Sequence, residues 1–123
     1  MPQSPRLKVR DEGGVRVIRF EDRALTDEAV VRGVGDQLAA ALPRTGPPAV
    51  ILDFSGVQSI SSMMIGKLIA LQRRVDNQHG QMRLCELSDP VRNVFRTANL
   101  DRLFALDRDL RQSREALGAA EGS

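Results

Sequence analysis

Two adjacent hydroxyls, Ser61 and Ser62, stand between a short turn and an amphipathic run, and they are the residues of this chain best placed for chemistry. Upstream, Val50 to Phe54 is an apolar run of strand length, rich in β-branched residues and closed by the turn chemistry of Ser55-Gly56. Downstream, Met64, Leu68, Leu71 and Val75 recur at helical spacing, flanked by Ile65 and Ile69, while Lys67 and Arg74 fall on the other side. The spacing predicts a helix of about four turns with the serine pair at its mouth. A hydroxyl there can accept a hydrogen bond from an otherwise unpaired first-turn N–H. Capping accounts for one serine, and the geometry suits the other to switching by phosphate. Of the two methionines that follow, Met64 sits on the apolar stripe and is expected in the core. Met63 is divided between core and an outward, partner-facing position.

Other chemistries find less support. Gly66-Lys67 has the look of a phosphate-binding loop, but Leu68 follows where Ser or Thr is needed and Ser61 stands where the first glycine belongs. His79 is the only histidine, so neither a metal cluster nor a histidine-based triad can be assembled within one chain. Asp22, Asp27 and Asp53 are spread over loop, helix and strand positions and give no acid–base pair. The expectation is a protein that is not an enzyme and needs no cofactor and no metal.

Size and composition bound what such a switch belongs to. With 123 residues and 41% hydrophobic content, the chain fits one domain that buries roughly two-thirds of its unfolded surface. No apolar run approaches the roughly 20 residues that span a bilayer, and Met1-Pro2-Gln3-Ser4-Pro5 lacks the apolar segment of a signal peptide. A cytoplasmic protein without membrane attachment is expected. The single Cys85, in an apolar run, reads as a buried reduced thiol and agrees with a reducing compartment. The net charge of +2, from 18 basic and 16 acidic residues, is near balance. With no Trp or Tyr and four Phe, direct nucleic-acid binding is not expected.

The elements that must position the serine pair follow from the pattern on either side. Residues 1–6 read as a loose N-terminus. Leu7 to Arg10 alternates, Asp11-Glu12-Gly13-Gly14 turns, and Val15 to Phe20 resumes, which makes a hairpin. Thr26 can cap a helix with Asp27 and Glu28 in its first turn and Val30, Val34, Leu38 and Leu42 as its inner stripe. Gly33 and Gly35 lower its propensity by about 1 kcal/mol each relative to Ala, or allow a neighbour to approach closely. After the serine-led helix, Asn77 to Gly80 turns the chain into a strand from Met82 to Leu87. Ser88-Asp89-Pro90 then starts a third helix with Val91, Val94 and Phe95 inward. Leu103 to Leu106 reads as a final strand, and 108–123 as a C-terminal extension, helical through Leu110 and Leu117 before fraying. Strand–helix alternation from the second strand onward predicts an α/β fold, a mixed sheet with parallel crossovers packed against helices.

Three features together resemble a known family. Asp53-Phe54-Ser55-Gly56-Val57, the serine pair before a helix, and the ending Val91-x-x-Val94-Phe95-x-x-Ala98-Asn99-Leu100-Asp101-Arg102-Leu103-Phe104 look like a STAS domain over roughly residues 7–107. STAS is the fold of bacterial anti-sigma factor antagonists. The resemblance implies a single STAS-like domain whose partner is an anti-sigma factor of the histidine-kinase-like ATPase superfamily. Such an antagonist binds that serine kinase while unphosphorylated, frees a sigma factor for transcription, and lets go once phosphorylated. By position, the family's Asp-Ser-Ser-Gly-Leu-Gly segment falls on Ser61, Ser62, Met63, Met64, Ile65 and Gly66. Ser62 is then the phosphoacceptor, with Ser61, where the family carries aspartate, as its rival. The family's tight-turning glycine is Met64 here. Partner contacts are expected from Asp27, Ser61, Ser62, Met63 and Gly66, in a monomer or weak dimer. The alternative is a constitutive STAS scaffold subunit of a lipid-transport or stressosome-like assembly, in which the serines merely cap.

Overall fold

Strands and helices alternate along the chain as the pattern of apolar residues requires. The structure, a computed structural model, describes residues 6–121, with side chains described from 6 to 118. Most of the expected loose terminus and the last residues of the expected extension lie outside that range. The elements are β1 (Leu7–Glu12), β2 (Val15–Phe20), β3 (Ala24–Leu25), α1 (Glu28–Ala41), β4 (Ala49–Asp53), β5 (Ser59–Ile60), α2 (Ser62–Asn77), β6 (Gln81–Cys85), α3 (Asp89–Thr97), a 3₁₀ turn (Leu100–Arg102), β7 (Ala105–Leu106) and α4 (Leu110–Glu121).

Five strands form one mixed sheet in the order β1-β2-β4-β6-β7. Only β1 and β2 run antiparallel. Their hairpin closes through Gly13 and Gly14, with φ of +55° and +85°, the left-handed pair that a two-residue turn matched to strand twist demands. Central β4 is buried on both faces, which is why it reads as an unbroken apolar run and not as an alternation. Val50 and Leu52 face the main core, where Ile18, Phe20 and Leu84 of the sheet meet Val34 and Leu38 of α1, Met64 and Leu68 of α2, and Phe95 of α3. Ile51 faces the other way, with Val15, Val17, Cys85 and Leu117 of α4.

Local readings differ from the structure in five places, each for an identifiable reason. The cap of α1 is Asp27 and not Thr26, because the Asp27 carboxylate accepts from the Val30 N–H at 3.0 Å. Counting back from Val34, the fully buried position is three residues away at Val31 and not four away at Val30, which is partly buried. β6 stops at Cys85, two residues short of Leu87, where Glu86 takes a positive φ of 59°. The final strand shrinks to two residues because Asn99, at φ 57°, starts a 3₁₀ turn that leaves Leu103 exposed. Finally, a second, two-stranded sheet of β3 and β5 lies where only loop was expected. Gly35 does allow close approach: a Cβ there would stand 2.8 Å from Lys67 Cδ.

Candidate functional site

The strand that leads to the serine pair ends in a chain of local bonds. Asp53 closes β4 and its Oδ1 accepts from the Ser55 N–H at 2.8 Å, a turn in which the carboxylate replaces a backbone acceptor. Phe54 N–H donates to the Cys85 carbonyl at 3.0 Å, and Val57 N–H returns to Phe54 at 2.9 Å. Gly56, at φ +91°, supplies a conformation that a side chain rarely adopts. These bonds fix where the chain leaves the sheet.

From there the small sheet takes over. Ala24 pairs with Ser59 and Leu25 with Ile60 in parallel register. Gln58 N–H donates to the Arg23 carbonyl at 2.7 Å and Ser61 N–H to that of Leu25 at 3.0 Å. Each strand runs directly into a helix start, Asp27 on one side and Ser61 on the other. Two parallel strands thus bring the heads of α1 and α2 to the same end of the domain.

The two serines then divide their labour. Ser61 has extended backbone (φ −98°, ψ 167°) and its Oγ accepts from the Met64 N–H at 3.2 Å, so it is the N-cap, with its hydroxyl half-buried and engaged. Ser62 is the first residue of the helix and is exposed. The first turn of α2 carries no acidic residue, which leaves its positive dipole end uncompensated by a side chain. Met64 is fully buried, whereas Met63 is partly buried against the main core. Gly66 is exposed, and a Cβ placed on it would meet nothing within 4 Å.

Asp27, Ser61, Ser62, Met63 and Gly66 therefore share one end of the domain, although the Asp27 carboxylate also has the structural duty of capping α1. The sequence reading missed a neighbour of Ser62. An open groove of about 420 Å³ runs beside it, lined by Ile65 of α2 and by Asn93, Val94, Thr97 and Ala98 at the end of α3. Helical spacing alone could have hinted at this, since Asn93 and Thr97 are four apart and Val94 and Ala98 likewise. Among the described residues no group of three or more His, Cys, Asp or Glu side chains could hold a metal ion, and no helix is long and apolar enough to cross a membrane.

The comparisons with known proteins agree with this architecture. The family model of the STAS domain matches residues 7–115. An anti-sigma-factor antagonist (STAS) domain protein from Planctomyces limnophilus superposes with a TM-score of 0.81 at 24% identity, covering 89% of this chain and 95% of that one. An anti-sigma factor antagonist from Mycobacterium paratuberculosis gives 0.77 at 21%, covering 89% and 91%. The Bacillus cell fate determinant SpoIIAA, in its phosphorylated form, gives 0.63 at 18%, covering 93% and 98%. At such identities the likeness is one of fold. No curated protein matches this chain in sequence.

Proposed function

This chain belongs to the STAS domain family, and from that premise we propose that it acts as an anti-sigma factor antagonist switched by phosphorylation of Ser62. Its partner is an anti-sigma factor that is itself a serine kinase of the histidine-kinase-like ATPase superfamily. Unphosphorylated, the antagonist docks the heads of α1 and α2 on that kinase and so releases a sigma factor. The kinase then moves the terminal phosphoryl group of ATP to Ser62 Oγ, the serine proton leaves, and the complex separates. The chain works by binding, and the group transfer is the partner's.

The observation that carries this reading is the contrast between neighbours: Ser61 is held by the Met64 N–H while Ser62 is exposed on the first turn. An acceptor must reach another protein's active site, and Ser62 has that access. The existence of a phosphorylated form of the similarly folded SpoIIAA supports the reading. The sign of the switch follows from electrostatics. A phosphoserine adds about −1.5 to −2 charges, which the end of a helix can accommodate in water but a contact surface built on Met63 must desolvate.

Incubation with the cognate kinase and ATP tests it. One phosphate is expected by intact mass, and none on Ser62→Ala. Labelling of Ser62→Ala together with loss on Ser61→Ala moves the acceptor by one residue. No phosphate on the wild-type chain returns both serines to capping and supports a constitutive scaffold.

A further inference from the structure

The sheet is covered very unequally on its two faces. Three helices and most of the buried apolar side chains lie on one side. The other side has α4, joined to β7 by residues 107–109 alone, over a strip formed by Val15, Val17, Ile51 and Cys85. Of the described side chains of α4, Leu117 is its one fully buried apolar group, at 1% exposure, with Leu110 partly buried.

What holds the near end of α4 is polar. The Asp107 carboxylate, 3% exposed, accepts from Arg83 Nε at 2.6 Å and Nη2 at 2.9 Å, and from the Ser113 hydroxyl at 2.6 Å. Ser113 is itself fully buried. The Leu110 N–H donates to Glu86 Oε2 at 2.9 Å. Near its exposed side, Arg114 pairs with Glu12. A directional cluster of this kind forms and breaks together, because each partner holds the geometry of the next.

We infer that α4 is a latched cover that opens as a unit, ahead of the rest of the domain, and bares Cys85 and the apolar strip beside it. Segments that open locally are those with few buried apolar contacts, and among the described side chains α4 fully buries only Leu117 of its apolar groups. Among the described residues, the main core on the far face includes no side chain of α4.

Cys85 is the built-in reporter. Closed, the thiol has no exposure and burial, with the Asp53 charge next, pushes it up to about 12. Its reaction with iodoacetamide at mild alkaline pH must then pass through an open form. In the full chain, the alkylation rate is measured across urea concentrations well below the unfolding transition. A local opening predicts a rate that barely changes with urea, since little surface is exposed. Ser113→Ala, which removes its bonds to Asp107 and to the Cys85 thiol and keeps the Arg83–Asp107 ion pair, should raise the rate at least fivefold without changing that weak dependence. Leu117→Ala should do the same from the apolar side. Labelling that rises with urea as steeply as global unfolding, in the wild type and in Ser113→Ala alike, overturns the proposal.

Discussion

Ser61 donates its backbone N–H to the Leu25 carbonyl at 3.0 Å, so the residue that caps α2 is stitched to the segment that leads into α1. Its side chain and its main chain are both committed to structure. Ser61→Ala should therefore lower stability by about 1 kcal/mol, the usual worth of an N-cap hydroxyl, while leaving Ser62 as good a phosphate acceptor as before. Ser62→Ala should stay within about 0.5 kcal/mol of the wild type, as exposed substitutions do. Thermal melts followed by circular dichroism check the pair. The opposite ranking would mean that Ser62 bears the structural load.

Charge, and not loss of the hydroxyl, is what should weaken docking. Ser62→Ala keeps the first turn of α2 neutral, and its affinity for the anti-sigma kinase should equal that of the wild type within about threefold. Ser62→Glu places a carboxylate where the partner must exclude water and should lose at least tenfold, a cost of about 1.4 kcal/mol. Isothermal titration of the two variants against one kinase preparation decides this. Equal affinities would remove the electrostatic sign from the switch.

Where the sequence was legible, one signal dominated its neighbourhood. The β-branched apolar run from Val50 to Phe54 marked an interior strand, observed at Ala49–Asp53, and the 3–4 spacing of Met64, Leu68, Leu71 and Val75 placed α2. The pair β3 and β5 was illegible because two residues carry no periodicity, and their pairing depends on the partner loop far away in sequence. Thr26 and Asp27 are both good caps, and only the backbone chose between them. The groove beside Ser62 needs α3 laid against α2, a tertiary relation that no local pattern states. The candidate site was thus readable residue by residue, but not as a surface.

Gly66 offers a separation of stability from recognition. It lies in the second turn of α2, is exposed, and has open space where a methyl would go. Gly66→Ala should stabilise the domain by up to about 1 kcal/mol through helix propensity and a stiffer unfolded chain. If the kinase rests on the first two turns of α2, the same methyl keeps its surface away and affinity should fall at least fivefold. A higher melting temperature with unchanged affinity would place Gly66 outside the contact.

The ion pair beneath α4 sets an acid limit on stability. Burial pushes the Asp107 carboxyl up, but the hydrogen bonds from Arg83 and Ser113 and the Arg83 charge together outweigh it and hold the group below its ordinary value. Arg83 is raised in turn, first by the hydrogen bond with Asp107. A carboxyl depressed in the folded state contributes stability that is complete above its unfolded value, about 3.9, and is lost as pH falls through the lower folded one. Asp107→Asn lacks that contribution at every pH. At neutral pH it should cost about 2–3 kcal/mol, less than the roughly 3–5 typical of a fully buried pair because the Arg83 side chain keeps 26% of its surface in water. The gap to the wild type should narrow steadily below about pH 4. Asp11 and Glu12 are also depressed, chiefly by hydrogen bonds from Arg16 and from Arg10 respectively, but both occur in either protein and cancel in the difference. Urea unfolding of the two proteins at pH 7, 5 and 3 measures the gap. A difference that stays constant down to pH 3 would mean that Asp107 acts by shape and not by charge.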